Sequence, residues 1–308
     1  MTQRAGGAAG TTVRTRRTTV LATLALLGMT ACWGTTFFLI KDLLDRVPVL
    51  DFLALRFAIA TVSLLVLAPR ALGAMNPAAR RPALVLGLLY GLAQILQTAG
   101  LAHTPASVSG FITGMYVVMT PLFAAVLLRQ RITAVTWGAV GLAMVGLGVL
   151  TLSGFSIGYG EALTFCAAAL YALHIVGLGA WSRASDAMGM TIIQLFVIAA
   201  VCFAASAPGG IVLPDNLGDW LSVIYMAVFA GALALAGQTW AQAHLPPTRT
   251  AIIMSMEPVF AAFFAVLLGG ESLTLRMLVG GALVLTAMLV VELAPRRKIE
   301  AEVPHIAV

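Results

Sequence analysis

Charge is what this chain has least of. Of its 308 residues, 10% are Asp, Glu, Lys or Arg and 60% are apolar, whereas an average soluble domain carries roughly 25% charged residues. That deficit excludes a water-soluble globular protein and points to a chain that crosses a bilayer many times. Cysteine is scarce as well. Cys32, Cys166 and Cys202 lie in apolar runs without the spacing of a metal site, so they are expected to pack as small hydrophobes. The common hydrolase signatures are missing too: no Walker phosphate loop, no His-Glu-x-x-His and no Gly-x-Ser-x-Gly elbow. ATP hydrolysis is therefore not expected of this chain, and no cofactor or metal is implied. The net charge of +6 reports, in so apolar a chain, which side the loops face rather than nucleic-acid binding.

What the sequence does have is long apolar runs. A span needs about 20 such residues, which leaves room for roughly ten spans and short loops. The first is read at 20–40, and the others at 52–69, 83–102, 107–128, 134–152, 161–181, 189–207, 219–240, 248–268 and 275–293. Residues 1–19, rich in Gly, Ala, Thr and Arg, read as a disordered basic tail, and 294–308 as a short solvated end. Arg16-Arg17 before an apolar run ending in Met29-Thr30-Ala31-Cys32 looks something like a lipoprotein signal. The run continues through Trp33 to Ile40 without a break, which a removable signal should not do. With the N-terminus inside, 14 of the 18 Lys and Arg residues fall on inner segments, three (Lys41, Arg46, Arg276) on outer ones, and Arg56 within a span. That bias predicts a multi-pass inner or plasma membrane protein with both termini cytoplasmic.

The two halves resemble each other. Gln97-Thr98 through His103-Thr104-Pro105 lies over Gln238-Thr239 through His244-Leu245-Pro246 at an offset of 141, with five of nine positions identical. Thr120-Pro121 lies over Glu257-Pro258 at an offset of 137; Trp33 falls opposite Tyr171 and Arg56 opposite Gln194 at 138. Five spans per half is an odd number, so the second half enters from the other side. Such inverted repeats place a binding site near the midplane between two packings that open to opposite sides.

One stretch concentrates the unfavourable features. In the run 246–271, Glu257 sits at mid-span beside Pro258. A charged carboxylate there costs about 2.5–3.5 kcal/mol on insertion scales, and the proline removes a backbone donor at the same level.

These residues carry a family resemblance. Trp-Gly-Thr-Thr-Phe at 33–37, Leu-Arg-Phe at 55–57, Pro121, Glu257-Pro258 and Gly-Gly-Glu-Ser-Leu-Thr at 269–274 together resemble the EamA family of the drug/metabolite transporter superfamily. The resemblance spans about 20–293. It implies an all-α membrane protein of ten transmembrane helices, arranged as two inverted five-helix repeats at 20–152 and 157–293. Spans 1, 3, 4, 6, 8 and 9 would surround a central cavity. It further implies a secondary-active transporter, not an enzyme, exporting a small metabolite, amino acid or drug-like compound by alternating access, with a proton as candidate coupling ion. An importer, or a non-transporting membrane sensor or assembly protein, is the alternative. One departure stands out: Arg129-Gln130-Arg131 occupies the place of Gly269-Gly270-Glu271, so the first half lacks that glutamate.

Individual residues then fall into groups. Glu257 is the candidate proton or substrate-amine site, against a neutral carboxyl bonded to a freed carbonyl. Gln97, Thr98, Gln238 and Thr239 are candidate substrate contacts, or else helix–helix hydrogen bonds. Trp33, Tyr116, Tyr171 and Trp240 are mid-span aromatics suited to lining a cavity, or to plain packing. Arg56, read as one turn inside the outer end of its span, is expected to snorkel or to form a gating ion pair with Asp51. Pro121 and Pro258 are expected to occupy matching sites and to act as hinges. His103 and His244 are expected to cap span ends, and His174 to pack. Gly87-x-x-x-Gly91 and Gly110-x-x-x-Gly114 are expected to let spans three and four approach closely.

Overall fold

The computed structural model describes residues 6–127, 134–151, 158–245, 247–254 and 256–293. The Arg129-Gln130-Arg131 run and the tail 294–308 lie outside the described residues. Every regular element among those described is helical. The first half holds α1 (Gly6–Leu43), α2 (Val49–Leu67), the short α3 (Ala71–Ala74), α4 (Arg80–Ala102), α5 (Ala106–Thr113), α6 (Tyr116–Leu127) and α7 (Ala134–Thr151). The second holds α8 (Tyr159–Trp181), α9 (Ala187–Ser206), α10 (Leu217–Ala227), a π-helical turn (Val228–Leu233), α11 (Ala234–Gln242), α12 (Pro247–Met254), α13 (Glu257–Leu267) and α14 (Leu275–Leu293).

Seven helical stretches are long and apolar enough to cross a membrane, and three shorter apolar helices lie at 137–146, 257–267 and 275–287. Their outer faces are as apolar as their inner ones: Val66 is 73% and Leu275 75% exposed, while Phe52, Leu53 and Leu64 are fully buried. A helix that is apolar all round faces hydrocarbon, not water.

Local chemistry sets the ends. Pro48 and Pro105 precede α2 and α5, where a missing donor costs nothing because the first N–H groups of a helix have no partner within it. Asn216 caps α10 by accepting from the Asp219 N–H at 2.9 Å. The segment expected to be disordered at 1–19 is largely helical, since α1 begins at Gly6. Lengthening an existing helix adds a hydrogen bond per residue without a new nucleation cost.

The halves interleave. α4 packs on α8, α1 on α13, α2 on α9, and α7 on α14. Glycines permit this. A Cβ on Gly34 of α1 would overlap Phe260 Cβ of α13, and one on Gly100 of α4 would lie 2.6 Å from the Gly160 carbonyl oxygen of α8. The small-residue pairs expected to join spans three and four act elsewhere. Gly87 and Gly91 face Gln194, Val197 and Ile198 of α9, and Gly110 faces Ala261 of α13. Spacing shows that a helix face is small but not which neighbour fills it.

Spans four and nine are each broken, and the breaks are related by the repeat. α6 and α13 start 141 positions apart. The hydrogen bonds agree. The Met115 N–H donates to Ile112 O at 3.0 Å and the Met256 N–H to Ile253 O at 3.4 Å, which are tightened i→i−3 bonds of matching register. In this register Glu257 corresponds to Tyr116, not to Thr120. The expected match of Pro121 with Pro258 therefore fails. Pro121 lies inside the continuous α6, whereas Pro258 is in the first turn of α13, where proline is tolerated. The break in span four is at Gly114-Met115, upstream of its proline.

Candidate functional site

The breaks open onto a buried cavity between the halves. It is lined from α1, α2, α4, α5, α6, α8, α11, α12 and α13. Of the residues singled out in the sequence, Glu257, Gln97, Thr98, Gln238, Trp33, Tyr116, Tyr171 and Arg56 all face it. Thr239 and Trp240 do not. Thr239 is buried against Thr191, its hydroxyl donating to Leu235 O and its carbonyl accepting from Ser182. Trp240 packs on His244, with ring centroids 4.8 Å apart. Residues 238–240 are consecutive on one helix, so only part of the run can point inward.

The polar groups are organised around the two breaks. The Tyr116 hydroxyl, at the start of α6, lies 2.8 Å from Met254 O and 3.0 Å from Glu257 Oε2. The residue four positions after Met254 is Pro258, which has no N–H to offer this carbonyl. Near the other break, Gln97 Nε2 donates to the Thr113 hydroxyl at 3.1 Å, and the Tyr171 hydroxyl donates to Gln97 Oε1 at 2.6 Å. The π-helical turn supplies a third irregularity. Within it Ala230 O accepts from Trp33 Nε1 at 2.7 Å, and Met226 O, one turn earlier, accepts from Arg56 Nε at 3.3 Å.

Arg56 departs from expectation. It is 2% exposed and faces the cavity rather than the surface. Asp51 is not its partner, because Asp51 Oδ2 accepts from the Val212 N–H at 3.1 Å. Burial on the cavity face of α2 leaves the side chain no route to the interface. The histidines behave as expected. The His103 backbone N–H ends α4 on Gly100 and Leu101 carbonyls, His244 Nδ1 lies 2.9 Å from Trp240 O, and His174 Nε2 lies 2.7 Å from Gln194 Oε1. His174 also reaches the cavity wall.

Tyr90 and Gln94 also line the cavity, although neither stands out singly in the sequence. Tyr90 and Gln94 of α4 face Arg56 and Tyr171; the Tyr90 ring is 5.8 Å from Tyr171 and 5.0 Å from His174. A polar residue every three to four positions on α4 (Tyr90, Gln94, Gln97, Thr98) was the available clue. The cavity leaves about 40 Å³ for the centres of water molecules, room for roughly two or three waters. Any larger solute requires the walls to part.

One end of the cavity is tied shut by charge. Lys41 Nζ donates to Leu101 O at 3.2 Å and Thr104 O at 2.8 Å. Glu271 Oε1 accepts from the Ala106 N–H at 2.6 Å, and Oε2 accepts from the Ser107 N–H at 3.4 Å and from the Ser107 hydroxyl. On the far face of α1 a hollow of about 440 Å³, lined by Lys41, Asp42, Asp45 and Glu271 among others, abuts these ties. At the other end the described contacts are neutral: Ser182 Oγ donates to Thr239 O at 3.0 Å, and Gly179 meets the Pro247 ring. Among the described residues no group of three or more His, Cys, Asp or Glu could hold a metal ion.

An all-helical, membrane-spanning chain with a polar cavity at paired helix breaks defines a multi-pass membrane transporter. The EamA-like transporter family matches residues 20–152 and 158–293, and the chain belongs to that family. An uncharacterized transporter of Archaeoglobus fulgidus is 30% identical over 277 residues, covering 88% of this chain and 86% of that protein. A solved crystal structure shares the fold, with a TM-score of 0.65 at 19% identity over 91% of this chain and 99% of the other.

Proposed function

We propose that this chain is a secondary-active exporter of a small metabolite, an amino acid or a drug-like compound. It works by alternating access between two inverted five-span repeats and is coupled to protons through Glu257. The seven long apolar helices and three shorter ones support a count of ten spans, and the excess of Lys and Arg on alternate segments supports cytoplasmic termini in an inner or plasma membrane. The outward direction rests on the family resemblance.

The observation that carries the coupling is the geometry around Tyr116. Its single hydroxyl proton cannot serve both Met254 O and Glu257 Oε2. When Glu257 holds a proton, both bonds form: the carboxyl donates to the Tyr116 oxygen while the hydroxyl donates to the carbonyl at the break. When the proton leaves, the carboxylate competes with that carbonyl for the same donor. A protonation step is thereby linked to the backbone joint between α12 and α13, a discontinuous helix of the kind that moves in such transporters. Gln97, Thr98 and Gln238 are assigned to substrate contact, Trp33 and Tyr171 to the walls, and the breaks at Gly114-Met115 and at Met256 to the swing. The test is transport in proteoliposomes under an imposed pH gradient. Glu257→Gln is expected to abolish gradient-driven accumulation while leaving exchange. Unchanged gradient-driven transport in Glu257→Gln refutes the coupling.

A further inference from the structure

The cavity holds a cation that no carboxylate among the described residues neutralises. Arg56 lies on α2 amid Phe52, Leu53, Ala54 and Phe57, all fully buried. Its guanidinium offers five N–H donors. The protein takes two of them at long range: Met226 O at 3.3 Å from Nε and Gln94 Oε1 at 3.5 Å from Nη1. Both acceptors are neutral, and the second is at the limit of a hydrogen bond. The rings of Phe52 and Phe57 lie 5.9 and 5.2 Å from Cζ; they attract the charge but take little of its hydrogen-bonding capacity. The carboxylates nearby are otherwise engaged. Asp51 is held by the Val212 N–H, and Glu257 lies against Tyr116. The salt bridges within 4.0 Å among the described residues are those of Arg46 with Asp42 and Asp219.

A buried guanidinium without a counter-charge is costly in a bilayer. It is a fixed cost that a ligand can offset. We propose that Arg56 is the receptor for a negatively charged group of the solute, so that the cavity selects small compounds carrying a carboxylate. This rests on the transporter reading above. Arg56 and Glu257 line one cavity without pairing, so the solute's carboxylate is held on the α2 side. The planar fork of the guanidinium suits two parallel N–H···O bonds to a carboxylate. The long bond to Gln94 is the one most easily exchanged for an arriving anion. Arg56 on this reading is a specificity-determining residue and not a gate.

The test uses matched probes that differ in one group: L-alanine, propionate and ethylamine, then L-leucine, leucinamide, 4-methylpentanoate and 3-methylbutylamine. Binding to the purified full chain is read from the shift in its thermal unfolding midpoint. Acids or zwitterions are expected to stabilise the protein, and the amide and amines are not. Arg56→Gln is expected to weaken acid binding about tenfold or more, and Arg56→Lys to retain part of it. The probe comparison on unmodified protein decides the matter even where Arg56→Gln does not fold. Equal stabilisation by amines and acids, no stabilisation by any acid or zwitterion, or an unchanged affinity in folded Arg56→Gln overturns the proposal. Saturable counterflow of a labelled amine, with none for any acid or zwitterion, overturns this inference and leaves the transporter reading standing. Absence of counterflow for every solute overturns that reading itself.

Discussion

Glu271 offers the sharpest quantitative prediction. Its carboxylate bridges the α13–α14 connection to the first turn of α5, accepting from two backbone N–H groups and from the Ser107 hydroxyl. Ala106 and Ser107 open α5, where N–H groups have no helical partner and a negative charge is favoured by the helix dipole. Glu271→Ala removes all three hydrogen bonds at once. A lost cap costs about 1 kcal/mol and hydrogen bonds to a charged group about 1.5–3 kcal/mol. Glu271 is only half-buried, so the low end applies and the net loss is about 2 kcal/mol. If these bonds exist only while this end of the cavity is shut, that energy moves the closed-to-open ratio by a factor of about 30. The readout is a single cysteine at Thr98, which lines the cavity and is 1% exposed, in a protein with Cys32, Cys166 and Cys202 replaced. Labelling by a membrane-impermeant maleimide from the side of residues 44–48 should accelerate at least tenfold in Glu271→Ala. An unchanged labelling rate with lowered stability refutes the reasoning, because it means the bonds persist in both conformations.

Two further outcomes are expected. Tyr116→Phe leaves Met254 O and Glu257 without their shared hydroxyl; it should cost about 1–3 kcal/mol in unfolding free energy and flatten the pH dependence of transport in proteoliposomes, and a pH profile like that of the unmodified protein would refute the linkage. Gly34→Ala puts a Cβ onto Phe260 Cβ and 2.9 Å from that residue's carbonyl carbon. The helices α1 and α13 must part, at a cost of about 1–3 kcal/mol measured by denaturant unfolding in detergent, and undiminished stability would show that the two helices do not pack this closely.

Much of the molecule was legible from the chain alone. Apolar run length is a one-dimensional property, so the helical, membrane-spanning class followed directly from it. The repeat was legible because its two copies still share Gln-Thr and Ala-His at one offset. Nine of the residues singled out line the cavity, His174 included, since a polar or aromatic side chain at mid-span has few other places to go. The failures have two causes. Pro121 was matched to Pro258 through a local likeness at an offset of 137, whereas Arg56 against Asp51 and Gly87 against span four were inferred from spacing along the chain. Spacing fixes a helix face but not the element that meets it.

The sequence by itself therefore determined that this chain lives in a bilayer as two related helical halves with polar groups at mid-depth, because burial in hydrocarbon constrains composition residue by residue. Only the tertiary structure decided the rest. It set the true repeat register, in which Tyr116 and Glu257 are counterparts that touch across the interface. It turned Arg56 inward with no ion-paired carboxylate among the described residues, and it brought Glu271 onto a helix terminus some 165 residues away in the chain. These are contacts between distant segments, and they depend on how the helices pack.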